Sequence, residues 1–261
     1  MIKITFLGTG TSQGVPVIGC QCEVCCSENP KDKRLRSSVL IETEEVSLVI
    51  DTGPDFRQQM LREKVRKLDA VLFTHEHKDH TAGLDDIRAF NFLQKKDMPL
   101  YATPKVLNQL KGEFAYIFAE KRYPGIPQVE LHEISKEKSF YIGKVKITPI
   151  EVFHYRLPVL AFRIGDFTYV TDANYIASEE MAKIYGSKIL VINALQKEKH
   201  ISHYNLEEAI ALAEHLGAEK TYFTHISHKM GLHNKVSQEL PKNIEIAYDG
   251  LSLTLNEREA K

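Results

Sequence analysis

The sequence predicts a mixed α/β (α+β) fold with sheets inside and helices outside, and three observations carry that expectation. Short runs rich in Val, Ile, Phe, Tyr and Thr recur along the 261 residues, bounded by Gly, Pro, Asp or Asn. Apolar residues at helical spacing fill some of the gaps between these runs. No low-complexity linker, charge block or short-period repeat breaks the pattern, so residues 1–261 read as one domain with enough chain for a two-layer core.

The strand runs are Ile2–Leu7, Ser38–Glu42, Ser47–Asp51, Ala70–Thr74, Leu100–Ala102, Lys144–Glu151, Leu160–Thr171, Lys188–Ile192, Lys220–Thr224 and Ile244–Leu255. Asp55–Lys67 sets Phe56, Met60, Leu61 and Val65 at helical spacing. Asn205–Leu216 opens on an Asn205-x-x-Glu208 capping box and brings Leu206, Ala209, Ile210 and Ala213 to one face. Asp85–Lys95 and Pro104–Phe118 are the other helical segments. Asp249-Gly250 reads as a hairpin turn between two final strands. The aromatic stretch from Phe114 through Tyr123 to Pro127 reads in two ways: a packed helix and turn, or a lid or dimer surface where Lys121 or Arg122 meets phosphate.

Charge and hydropathy narrow the function classes. Thirty-four Lys and Arg against thirty-five Asp and Glu leave no basic excess for wrapping nucleic acid. No apolar run approaches the ~20 residues of a membrane span. The opening Met1-Ile-Lys-Ile-Thr-Phe-Leu-Gly8 reads as a strand and a glycine turn rather than a signal peptide, so a cytoplasmic location is expected. All four cysteines fall between Cys20 and Cys26. A disulfide framework spreads its cysteines to close long loops, so metal binding explains this crowding better than bridging does. Four reduced cysteines without a metal are the other reading.

The segment Leu72-Phe-Thr-His-Glu-His-Lys-Asp-His80 places His75, His77, Asp79 and His80 just after a hydrophobic strand. Imidazoles two residues apart at a strand end can point the same way, and the following turn can aim Asp79 and His80 nearby. Neutral imidazole suits Zn, Mn, Fe or Ni, and the carboxylate adds a charge-balancing oxygen. His75-x-His77-x-Asp79-His80 resembles the signature of the metallo-β-lactamase fold superfamily. That resemblance implies an αββα sandwich holding two divalent metal ions, Zn or Mn, in a cleft at the sheet edges. It also implies further ligands at later strand ends, where His154, Asp172 and His225 stand. His75, His77 and His154 would then bind one metal, Asp79, His80 and His225 the other, and Asp172 would bridge them. Cations about 3.5–4 Å apart can share a hydroxide and clamp both oxygens of a displacement. Asp51, at the end of another strand, either supports this cluster from behind or serves as a turn or helix-cap residue.

Phe6-Leu-Gly-Thr-Gly-Thr-Ser12 followed by Gly19-Cys-Gln-Cys-Glu-Val-Cys25 is similar to the phosphodiesterase branch of that superfamily, of the PhnP type. Ribonuclease Z and PqqB are relatives of the same branch. The resemblance implies a structural zinc on Cys20, Cys22, Cys25 and His228, with Cys26 the poorer candidate beside Cys25. It also implies a catalytic histidine that binds no metal, and His203, two residues before the helix cap, matches it better than His200. His132, His215 and His233 read as surface or packing residues. The function implied is hydrolysis of a small or cyclic phosphodiester of the phosphoribosyl 1,2-cyclic phosphate type, by hydroxide attack with Asp79 among the metal ligands and His203 as acid. Hydrolysis of a thioester, lactone or lactam on the same metals is the alternative, as is a non-catalytic PqqB-like carrier. The expected partner is a small-molecule phosphodiester, with neither membrane nor nucleic acid; a homodimer is common among such relatives.

Overall fold

The computed structural model describes residues 1–119 and 123–256. Lys121 and Arg122, named above as phosphate contacts, lie outside the described residues. Six strands come first: β1 (Ile2–Gly8), β2 (Ser38–Thr43), β3 (Ser47–Ile50), β4 (Ala70–Leu72), β5 (Met98–Ala102) and β6 (Val129–Glu133). Then follow β7 (Phe140–Ile142), β8 (Val145–His154), β9 (Leu157–Ile164), β10 (Phe167–Tyr169), β11 (Ile189–Asn193), β12 (Lys220–Thr224), β13 (Ile244–Ile246) and β14 (Ser252–Leu255). They build two seven-stranded sheets, ordered β14-β1-β2-β3-β4-β5-β6 and β13-β12-β11-β10-β9-β8-β7.

Alternation explains why so many strands are apolar without interruption. Successive side chains point to opposite faces, so a strand covered on both sides needs apolar residues at every position. In β3, Leu48 and Ile50 enter the core between the sheets, while Val49 packs outward with Phe56, Met60 and Leu84. In β11, Val191 faces the other sheet, and Leu190 and Ile192 face Ala209 and Ala213. The inter-sheet core joins Ile4, Phe6 and Ile41 from one sheet to Phe162, Phe167 and Tyr169 from the other. Helices Phe56–Arg62, Arg88–Gln94 and Pro104–Glu113 cover the first sheet, and Leu206–Leu216 and His233–Glu239 cover the second. The layers are therefore α, β, β, α, as expected. The capping box at Asn205 forms, with Asn205 Oδ1 accepting from the Glu208 N–H and Glu208 accepting from the Asn205 N–H.

Several boundaries differ from the sequence pattern. Leu160–Thr171 is two antiparallel strands, because the chain reverses at Gly165, whose φ of 58° is left-handed. Ile244–Leu255 also divides, with β13 in the second sheet and β14 paired to β1 in the first. Asp249-Gly250 is thus a crossover between sheets and not a hairpin turn. The Asp249 carboxylate accepts from the N–H and hydroxyl of Thr9 and from the N–H of Leu35, which pins the N-terminal glycine turn. The helix expected over Asp55–Lys67 stops at Arg62, and Lys64 turns left-handed at φ 54°. Pro104–Phe118 breaks at Phe114 into two helices. The sequence pattern does not mark β6 and β7, since one is a half-exposed run of mixed polarity and the other only three residues long.

What positions the site is the shared direction of the strands. β3 runs parallel to β4, and β10, β11 and β12 are parallel, so their carboxyl ends gather at one edge of the sandwich. There the loop after β3 presses against the short helix Lys78–Thr81. The Thr52 N–H donates to the His80 carbonyl at 2.8 Å, and the Gly83 N–H to the Thr52 carbonyl at 2.8 Å. A Cβ on Gly53 would stand 2.1 Å from the Asp79 carbonyl oxygen, so only glycine fits this approach. Gly53→Ala is expected to lower stability by about 1–3 kcal/mol, as overpacking does. Urea melts check this, with an unchanged midpoint contradicting it.

Candidate metal centre

Each predicted ligand leaves the edge of a sheet. His75, His77, Asp79 and His80 lie on the loop and short helix after β4, and His154 is the last residue of β8. Asp172 follows β10 and His225 follows β12, both in left-handed backbone at φ 54° and 57°. Such a sharp turn at a strand end swings the side chain back over the edge, at a cost of order 1–3 kcal/mol for a residue other than glycine.

The structure brings all seven together. His80 Nε2 lies 3.1 Å from Asp79 Oδ2 and 3.2 Å from Asp172 Oδ2, and His225 Nε2 lies 3.3 Å from Asp172 Oδ1. The donor atoms of Asp79, His80, Asp172 and His225 all fall within 4.8 Å of one another. The other set is looser: ring centroids are 4.6 Å apart for His75 and His77, 5.2 Å for His77 and His154, and 6.0 Å for His75 and His154. His154 instead groups closely with Asp172 and His203. His154 Nδ1 donates to the Ser202 carbonyl at 2.8 Å, which draws it toward the loop carrying His203. The His203 ring is 4.4 Å from that of His154, and its Nδ1 is 3.9 Å from Asp172 Oδ1. His200 is exposed, 5.2 Å from His203 between ring centroids.

This donor set fits divalent cations. The Nε2 atom of His75 is buried and makes no hydrogen bond, and buried nitrogens are seldom left so without a ligand. Burial, with the His80 charge beside it, pushes His75 well below the ordinary histidine range, and burial lowers His77 and His225 too. Lowering these three favours the neutral imidazole, the form that metal ligation requires. Burial alone would lower His80, but the carboxylates of Asp172, Asp79 and Asp51 outweigh it and raise it well above that range. Burial would raise Asp172, but His225 and His80 hold it well below the usual carboxylate range. Three carboxylates around one imidazole form a strongly negative pocket, which a cation would neutralise in place of the His80 proton.

Asp51 sits behind the cluster as a buried support. Its carboxylate accepts from the Thr74 N–H at 2.9 Å, the Thr74 hydroxyl at 2.8 Å and His80 Nδ1 at 2.7 Å. These bonds fix the His80 ring so that Nε2 faces Asp79 and Asp172.

A second cluster lies on the adjoining loop. His228 Nδ1 is 3.3 Å from Cys20 Sγ and 3.5 Å from the sulfurs of both Cys22 and Cys25. Tetrahedral zinc with ordinary bond lengths separates sulfur from nitrogen by about 3.5 Å, so the four donors match one ion. Cys26 faces solvent, outside the cluster. The Cys25 N–H, donating to Cys22 Sγ, holds the Cys22 thiol down at about 6 against the opposing effect of burial, so it is a thiolate at neutral pH. Burial raises the Cys25 thiol to about 11, and a cation is what would draw off that proton. His228 lies three residues after His225, so one segment serves both clusters.

A family model for the beta-lactamase superfamily domain matches residues 47–226. The chain belongs to the beta-lactamase superfamily. Similarity within that superfamily extends over nearly the whole chain. The crystal structure of a new diphosphatase from the PhnP family is 40% identical, with a TM-score of 0.91, covering 97% of this chain and 96% of that one. Zn²⁺-bound PqqB from Methylobacterium extorquens shares the fold at a TM-score of 0.78 and 21% identity, covering 97% of this chain and 100% of that one. A protein named octanoyltransferase from Porphyromonas gingivalis (strain ATCC BAA-308 / W83) is 38% identical over 98% of this chain and 52% of its own length. The chain spans about half the length of the curated relatives it matches first.

Other predicted roles for histidine hold in the structure of this superfamily member. His132 stacks on Tyr101 at 4.5 Å, His215 Nε2 meets the Tyr185 hydroxyl at 2.8 Å, and His233 packs near Arg34. Sequence reasoning passed over Thr74, Thr11 and Ser202. Thr74 was legible as the hydroxyl residue next to His75, whereas Thr11, whose Oγ1 is 3.3 Å from His225 Nε2, comes from 214 residues away.

Two outcomes follow from this geometry. Asp51→Asn is expected to weaken metal binding by ~10–100-fold, measured by competition with a chromophoric chelator. Cys22→Ser is expected to lose one zinc per chain by elemental analysis and to melt at a lower temperature. Unchanged zinc content with an unchanged melt would exclude the Cys₃His site.

Proposed function

We propose that this chain is a metal-dependent hydrolase of small phosphodiesters or diphosphates, of the phosphoribosyl 1,2-cyclic phosphate type, using two divalent cations. The position of Asp172 carries the reading: this buried carboxylate belongs to two donor groups at once, one with Asp79, His80 and His225 and the other with His154 and His203. A carboxylate so shared suits a bridge between two ions, with Asp79, His80 and His225 on one side and His75, His77 and His154 on the other. Such a pair of cations supplies Lewis-acid polarisation of a phosphoryl group and acidifies a water. The choice of phosphorus over other centres is supported by the 40% identity to a diphosphatase across almost the whole chain.

His203 has the chemistry of a proton donor for the leaving oxygen. It is buried beside the ligands without being tied by a hydrogen bond at Nδ1. Burial, with His225 beside it, lowers its pKa to about 3, so it is neutral before substrate arrives. An anionic phosphoryl group at 3 Å would favour the imidazolium, so the substrate itself recruits the proton that His203 later gives up. Asp172 lies on the side from which it would orient the ring.

Hydrolysis of an acyl thioester is the second reading, favoured by the 38% identity to half of a protein named octanoyltransferase. A panel of a nitrophenyl phosphodiester, a nucleoside cyclic phosphate, an octanoyl thioester, a lactam and an oligonucleotide, assayed with Zn²⁺ or Mn²⁺, separates these readings. Turnover is expected on the first two; thioester turnover alone would overturn the proposal, and no turnover with metals retained would favour a carrier. Asp172→Ala is expected to lose metal and essentially all activity. His203→Ala is expected to keep its metals while kcat falls ~10²–10⁴-fold; loss of metal would instead make His203 a ligand.

A further inference from the structure

A ligating histidine is ordinarily held from behind by a hydrogen bond at its other ring nitrogen. Three of the predicted ligands follow this rule: His75 Nδ1 lies 3.0 Å from the Thr74 hydroxyl, His80 Nδ1 donates to Asp51, and His154 Nδ1 donates to the Ser202 carbonyl. His225 departs from it. Its Nε2 faces Asp172, while its Nδ1 is buried and has no hydrogen-bond partner among the described residues. The ring stacks on His203 and His80, at 4.9 and 5.9 Å between centroids, which fixes its plane but not its reach toward Asp172. That reach is left to the backbone, which is left-handed here at φ 57°.

The backbone in question is one short segment, His225 to His228, with a predicted metal ligand at each end. The Ile226 N–H donates to the Thr9 carbonyl at 2.8 Å, and the Ile226 carbonyl accepts from the Thr11 N–H at 3.1 Å. The segment thus rides on the stretch just past β1, and the Thr11 hydroxyl stands 3.3 Å from His225 Nε2. Beyond Thr11 that stretch becomes the loop of Cys20, Cys22 and Cys25, which closes on His228. Little else holds the loop. Of residues 12–29 only Gly14, Val15, Val24 and Cys25 are buried, and none of them joins a hydrophobic core. A loop so sparsely packed takes its order from the ion that its sulfurs gather.

We propose that His228 and the cysteine loop position His225, so that filling the Cys₃His cluster tightens metal binding on the Asp79, His80 and His225 side of the dinuclear centre. The effect is selective for that side, because Thr74 and the Ser202 carbonyl set His75 and His154 on the other. Coupling of this kind is reciprocal, so occupation of the centre tightens zinc binding at the cluster by the same factor. The inference rests on the two-cation reading for its sites, and on no particular substrate or reaction.

The intact chain is stripped of metal, given one equivalent of Zn²⁺, which thiolates select, and titrated with Mn²⁺ by calorimetry and electron paramagnetic resonance. With zinc in place two Mn²⁺ bind. Without it, one of the two binding constants falls by ~5–150-fold, the usual range of coupling between sites. Measured the other way, zinc affinity at the cluster, read by competition with a chromophoric chelator, rises by that same factor when Mn²⁺ is saturating. Cys22→Ser behaves as the zinc-free protein does. His228→Cys, which offers zinc a fourth thiolate, keeps both the zinc and the wild-type Mn²⁺ constants. Equal Mn²⁺ constants with and without zinc overturn the proposal, as does an equal fall in both, which marks general loosening. A wild type that binds no Mn²⁺ overturns the two-cation reading and this proposal with it, whereas two Mn²⁺ indifferent to the cluster overturn this proposal alone.

Discussion

The buried pairing of Asp51 with His80 is the contact on which the site depends. Asp51 is fully buried, and desolvation raises its pKa even with the His80 charge drawing it down. A carboxylate in that position is tolerable only because three donors converge on it. Two of them come from Thr74 at the end of β4 and the third from the ligand helix. The bond therefore locks β3, β4 and the helix Lys78–Thr81 into one unit, and it leaves a single direction for the other ring nitrogen of His80. That direction is toward Asp79 and Asp172, and with Asp172 it crosses to the second sheet.

Backbone strain is concentrated along the same edge. Asp51, Asp172, His225 and Tyr155 are all left-handed, and all stand at or just past a strand end beside the site. The two sheets and their helical covers supply the stability that makes these conformations persist, since their cores interlock through both faces of nearly every central strand. The framework and the reactive edge are thus distinct in kind. One is apolar and regular; the other is polar, bent and held by specific hydrogen bonds.

Much of this arrangement was legible in the chain because short-range chemistry announced it. His75-x-His77-x-Asp79-His80 packs four donors into six residues, and the cysteine loop packs three more, so spacing alone signals a cation. The capping box at Asn205 is equally local and forms where expected. The less legible features are those set by distant partners. Tyr169 and Ile189 enter the same core as Ile4, although no window of sequence relates them. The division of Ile244–Leu255 between two sheets follows from β14 pairing with β1, a contact across more than two hundred residues. Likewise His154 lies nearer His203 than its nominal partners because of a bond to the Ser202 carbonyl, and no pattern of side chains encodes a carbonyl.

The topology has one further consequence. The first six strands deliver His75, His77, Asp79 and His80, whereas His154, Asp172 and His225 arrive only with the second sheet, and the chain then returns to seal the first. Neither layer on its own owns a complete set of donors. A complete donor set therefore exists only where both halves of the sandwich meet in register.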